Sequence, residues 1–114
     1  MPSNIHAWIL FNSLTVPIPR DTTIQIGRSI NSDLRLFEDV SVSRNHCCII
    51  SSKGKAEVAD LNSRNGTKVN GHRISTPTEL HHHDEVTVGD TSLRILLEVD
   101  EDNRGTKGTF TLGS

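Results

Sequence analysis

No stretch of this chain sustains the apolar period of a helix, while short apolar or alternating runs recur between turn residues, and that pattern restricts it to an all-β fold. The runs predict strands at Ile5 to Phe11, Thr22 to Gly27, Asp33 to Leu36, His46 to Ser51, Lys55 to Leu61, Thr67 to Val69, His72 to Ile74, Glu85 to Val88 and Ser92 to Val99. Gly or Asn-Gly separates several of them, at Lys53-Gly54, Asn70-Gly71 and Gly89-Asp90, where a tight hairpin needs positive φ. Pro17 and Pro19 cannot both donate to a central ladder, so residues 13–20 are expected as an edge strand or a loop. Many short strands at this spacing favour a sandwich.

At 114 residues the chain fits one domain, expected over residues 1–99. From Asp100 to Ser114 the composition turns polar and Gly-rich without periodicity, which predicts a flexible tail or linker. A formal charge of -2 and a pI near 6.3 give no field that would hold a nucleic-acid backbone. An anion site, if present, must be local. Cys47 and Cys48 are adjacent, so in a strand they face opposite ways and do not readily pair. One is expected buried and one exposed, both reduced, in a cytoplasmic setting or, in a eukaryote, a nuclear one. The N-terminal residues show neither a basic leader nor an apolar span, so export and membrane insertion are not expected.

Binding a phosphate outside a helix start requires a fixed cation, hydroxyl or amide donors, and exposed backbone N–H groups. Three segments offer these together. Gly27 can bend the chain at a strand end and leave Arg28 projecting from a loop, where its planar fork suits a bidentate contact. Ser43 precedes a strand that starts at His46, so its hydroxyl can donate while the imidazole is buried and ties the loop together. The run Asn62-Ser63-Arg64-Asn65-Gly66-Thr67 forms another donor-rich loop, in which Asn65 can bond its own loop and a passing peptide backbone.

Gly27-Arg28, then Ser43-Arg44-Asn45-His46 about fifteen residues on, then Asn65-Gly66-Thr67, then Asn70-Gly71 form an ordered set that resembles the forkhead-associated domain family. The similarity runs from roughly Ile24 to Leu97 and includes Asp60-Leu61 and Val86-Thr87-Val88-Gly89. The resemblance implies a two-sheet β-sandwich of about 10–11 short, mostly antiparallel strands, with ligand bound by loops at one end. It implies a non-catalytic module, without cofactor or metal, that binds phosphothreonine in a peptide or protein that is a protein-kinase substrate, or in a phosphorylated segment of its own chain. Carried over by residue, Arg28, Ser43 and Arg44 would bind phosphate, Arg64 and Asn65 the peptide, while Gly27, His46, Gly66, Asn70 and Gly71 would be structural. The family packs the threonine γ-methyl in a small apolar pocket, a preference of only about 0.8 kcal/mol per buried carbon. The stretch Leu80-His81-His82-His83-Asp84-Glu85 departs from the family pattern of a Leu, a short spacer and Gly-Asp.

Each of these residues also has a plainer reading. Arg28 alone is a solvated cation, Ser43 a turn residue bonding its own backbone, and the two Asn-Gly pairs are turn formers. His81, His82 and His83 alternate faces and do not converge on one ion, which makes a solvated loop the expectation over a metal site. A hydrolase built on these histidines or on Cys48 lacks paired carboxylates or a nucleophile with its base. A phosphate-independent assembly domain on the same sandwich is the alternative, and nothing specific in the residues favours it.

Overall fold

The computed structural model describes residues 5–98; the expected tail and Val99 lie outside the described residues. Eleven strands follow in order: β1 (Ile5–Phe11), β2 (Leu14–Pro19), β3 (Thr23–Gly27), β4 (Leu34–Arg35), β5 (Cys47–Ser52), β6 (Lys55–Asp60), β7 (Thr67–Val69), β8 (His72–Arg73), β9 (Thr78–Glu79), β10 (Glu85–Val88) and β11 (Thr91–Leu97). One sheet runs β2-β1-β11-β10-β7-β8 and the other β4-β3-β5-β6-β9. Every pairing is antiparallel except β3 with β4, where Ile26 meets Leu34 and Gly27 meets Arg35. This is the all-β sandwich expected. Among the described residues no helix is long and apolar enough to cross a membrane.

Alternation fixes which residues face inward. Ala7 and Ile9 on β1, Val86 and Val88 on β10, and Leu93 and Ile95 on β11 are fully buried against Ile26, Ile49, Ala56 and Val58 of the other sheet. The proline argument holds: β2 is an edge strand, with Pro17 opposite Trp8 and Pro19 opposite Ile5. Asn70 at φ 51° and Gly71 at φ 85° make the mirror-image turn that a two-residue hairpin prefers.

Two expectations change. Strand β9 is only two residues long, carries no periodicity, and exists because Val58 and Glu57 of β6 offer it a ladder. Cys48 is not exposed: both cysteines are buried, because β5 is central in its sheet and Gln25 and Ala59 flank Cys48 on its own face. Burial pushes the Cys47 thiol up to about 12 and raises that of Cys48.

Registers also decide which loops meet. Phe11, Gly27, Thr67 and Val88 all lie towards one end of the sandwich, so the β1–β2 turn, the β3–β4, β4–β5 and β6–β7 loops and the β10–β11 turn gather there.

Candidate anion-binding loops

At the end of β3, Gly27 is a glycine for lack of space. A Cβ there would lie 2.1 Å from the carbonyl oxygen of Arg44, 2.8 Å from its carbon and 3.0 Å from the oxygen of Ser43. Its φ is not in the left-handed region, so the bend expected from the sequence is not what requires glycine. The close approach lets the Arg28 N–H donate to Ser43 O at 3.1 Å and the Ser29 N–H to Arg44 O at 3.1 Å. That clasp sets Arg28 beside Ser43 and Arg44. Arg28 Nε then donates to Val42 O at 2.6 Å, leaving its two terminal amino groups without a hydrogen-bond partner among the described residues.

Ser43 is held from both sides. Its N–H donates to His46 Nδ1 at 2.9 Å, and its hydroxyl oxygen accepts from the Arg64 N–H at 2.9 Å, which keeps the hydroxyl proton available for donation. With Nδ1 accepting, His46 carries its proton on Nε2 and donates to Gly66 O at 2.8 Å. His46 is fully buried and so bolts the Ser43 loop to the Gly66 loop. Arg64 donates to Val40 O at 2.9 Å and Asn65 Nδ2 to Ser41 O at 2.8 Å, so Asn65 binds the neighbouring loop and not its own.

Two carboxylates shape these loops, and neither role was read from the sequence. Asp60 accepts from the N–H and hydroxyl of Ser63 and from the hydroxyl of Thr67, while Ser63 Oγ accepts from the Gly66 N–H. Burial alone would raise the Asp60 pKa, but these hydrogen bonds outweigh it and hold it low. Asp39 accepts from the hydroxyls of Ser41 and Thr91 and from the N–H groups of Ser41 and Asp90. Its carboxyl is held down at about 2, chiefly by the Ser41 and then the Thr91 hydroxyl.

Because the folded Asp39 pKa lies below the unfolded value of about 3.9, its contribution is fully present above that value and is lost as pH falls through about 2. The wild-type melting temperature should therefore decline between about pH 4 and pH 2. Asp39→Asn should be less stable at neutral pH by about 1 kcal/mol, melt correspondingly lower, and show a shallower acid decline. Thermal unfolding followed by circular dichroism checks both; parallel acid profiles would refute the assignment.

The structure brings Arg28, Ser43, Arg44, Arg64 and Asn65 to one end of the sandwich. Arg28 and Arg44 line one open cleft of about 280 Å³ together with Ser29, Ile30 and Arg35. Arg35 had been read only as a strand residue; its signal was its place one strand away from Gly27-Arg28, visible only once β4 is known to pair parallel with β3. Asn70 lies at the opposite end, where its amide donates to Asp84 and accepts from the Glu85 N–H. The histidine run is there too: His82 Nδ1 accepts from the Leu97 N–H, His83 N–H donates to Ile95 O, and His81 lies 3.8 Å from Asp84. Among the described residues no group of three or more His, Cys, Asp or Glu is placed to hold a metal ion.

A family model described as the FHA domain matches residues 24–89. The ABC transporter ATP-binding/permease protein Rv1747 of Mycobacterium tuberculosis is 37% identical over 70 residues, covering 61% of this chain and 8% of that protein. The proliferation marker protein Ki-67 of Mus musculus is 41% identical over 68 residues, covering 60% of this chain and 2% of that protein. The chain thus matches only a small part of these much longer relatives. A solved structure from a structural and functional analysis of phosphothreonine-dependent FHA domain interactions superposes with a TM-score of 0.76 at 28% identity, covering 83% of this chain and 99% of that one.

Proposed function

The chain belongs to the forkhead-associated domain family, and from that premise we propose that it is a binding module for phosphothreonine in a peptide or protein segment. The observation that supports the reading is the clasp between β3 and the β4–β5 loop, which ties the main chains of Arg28 and Ser29 to those of Ser43 and Arg44, with Arg28 and Arg44 lining one cleft. Arg28 would supply two terminal N–H donors to the phosphate and Ser43 its hydroxyl proton, each charge-assisted hydrogen bond contributing about 1.5–3 kcal/mol. Arg44 would add charge. Asn65, whose Nδ2 is engaged with Ser41, keeps its amide oxygen for a main-chain N–H of the peptide, and Arg64 borders the same surface. Gly27, His46 and Gly66 hold the two loops in register, and Asn70-Gly71 close a hairpin at the far end.

The reading is of recognition without turnover. Cys48, the thiol considered from the sequence, is buried like Cys47, and burial raises both thiol pKa values. The bound segment would be the product of a protein kinase, in another protein or elsewhere in a longer polypeptide. The phosphate brings roughly 1.5 to 2 negative charges, so discrimination against unmodified threonine should be large, while the missing methyl of phosphoserine should weaken binding only about fourfold before pocket shape sharpens it.

Calorimetric titration with one peptide in three forms tests this. The phosphothreonine form should bind at least about a hundredfold more tightly than the plain one, and the phosphoserine form should fall between them. Equal affinity for phosphorylated and plain threonine would sink the proposal.

A further inference from the structure

We propose that the segment recognised here carries a second anionic side chain beside its phosphothreonine, and that Arg35 is the residue that selects it. The inference rests on the phosphothreonine reading of the same cleft.

Arg35 is placed by the parallel pairing that sets it opposite Gly27. Its Nε donates to the carbonyl oxygen of Arg28 at 3.0 Å, and its guanidinium carbon lies 5.5 Å from the centre of the Phe37 ring. One hydrogen bond and one cation–π contact thus hold an otherwise exposed arginine in a defined place, with its terminal amino groups unpartnered among the described residues. An arginine needed only for solubility would not be fixed to the main chain of the phosphate-binding arginine.

Charge balance points the same way. Arg28, Arg35 and Arg44 line one cleft, and among the described residues no carboxylate pairs with any of the three. A phosphothreonine brings roughly 1.5 to 2 negative charges, which Arg28 and Arg44 already match. The third guanidinium is not needed to match the phosphate, and although Arg35 also borders a neighbouring cleft with Glu38 and Asp39, neither carboxylate pairs with it. A planar fork with two free amino groups fits an oxyanion, either the carboxylate of Asp or Glu or a second phosphate.

The test uses a phosphothreonine peptide with neutral flanks, a series placing one glutamate at each flanking position in turn, and a parallel series placing a second phosphothreonine there. For wild type, at least one position in one series should bind about tenfold more tightly than the neutral-flank peptide, and Arg35→Gln should abolish that gain, read as the ratio of the two affinities within each protein. Arg35→Lys should restore part of the gain, since it returns the charge without the fork. A gain with glutamate identifies a carboxylate as the ligand group, and a gain with phosphate alone identifies a second phosphosite. No gain at any position, or a gain undiminished in Arg35→Gln, overturns the assignment while leaving the phosphothreonine reading intact. Failure of the neutral-flank phosphopeptide to outbind its plain form would instead remove the reading beneath it. Arg35 is exposed, and a melting curve matching wild type confirms that each variant is folded.

Discussion

Arg28→Ala is expected to weaken binding of a phosphothreonine peptide by roughly thirty- to several-thousandfold, corresponding to about 2 to 5 kcal/mol, while the domain stays folded. The size of the effect comes from geometry that alanine cannot replace. Arg28 spends its Nε on Val42 O at 2.6 Å, which fixes the plane of the guanidinium and directs its remaining donors without further loss of freedom. The hydrogen bonds from the Arg28 and Ser29 N–H groups belong to the main chain and survive the substitution, so the loops should stay closed. Arg28→Lys retains the charge but loses both the Nε anchor and the fork, and should fall between wild type and alanine. Titration of the three proteins with one phosphopeptide, at two salt concentrations, reads this directly; unchanged affinity in Arg28→Ala would show that the phosphate sits elsewhere.

Gly27→Ala should be the most damaging single methyl in the loop region. The added carbon would sit 2.1 Å from a main-chain oxygen, so no rotamer change can relieve it. Either β3 or the Ser43-Arg44 segment must move, and the two hydrogen bonds of the clasp open with it. Overpacking and two lost hydrogen bonds together should lower stability by about 2–4 kcal/mol. The displaced groups include the hydroxyl of Ser43 and the side chain of Arg44, so phosphopeptide affinity should drop more than about tenfold even where the protein is folded. Urea unfolding and titration at a temperature well below the transition separate the two losses. A variant with wild-type midpoint and affinity would show that the loop gives way freely.

Much of this architecture was legible because the signals were local. The Asn70-Gly71 turn is a matter of two φ angles, the edge position of β2 follows from two prolines, and β1, β7 and β10 fall where the apolar runs placed them. What escaped depends on residues far apart in the chain. The reason for Gly27 lies in Arg44, and the expectation that one of the two cysteines is exposed failed because Cys48 is covered by Gln25 and Ala59 on adjacent strands. Asp39 sits in no motif, and it gathers the Thr91 hydroxyl and the Asp90 N–H from a turn more than fifty residues away. Arg35 was missed for the same cause: a two-residue strand has no period, and nothing local says that it runs parallel to β3. The candidate residues Arg28, Ser43, Arg44, Arg64 and Asn65 were named through their order along the chain, whereas the hydrogen bonds that hold them had to come from the fold.

The pairing of β1 with β11 carries one more consequence. Ala7 stands opposite Leu97, and the Glu98 N–H donates to His6 O at 2.7 Å, at the end of the sandwich remote from Arg28 and Ser43. The two ends of the described residues therefore lie side by side, at the far end of the sandwich from the candidate loops. Such a unit can be spliced into a host chain as a side-mounted cassette, with both tethers on one side and the docking face turned outward. A fluorescent protein or surface anchor fused at either side should leave ligand access unobstructed.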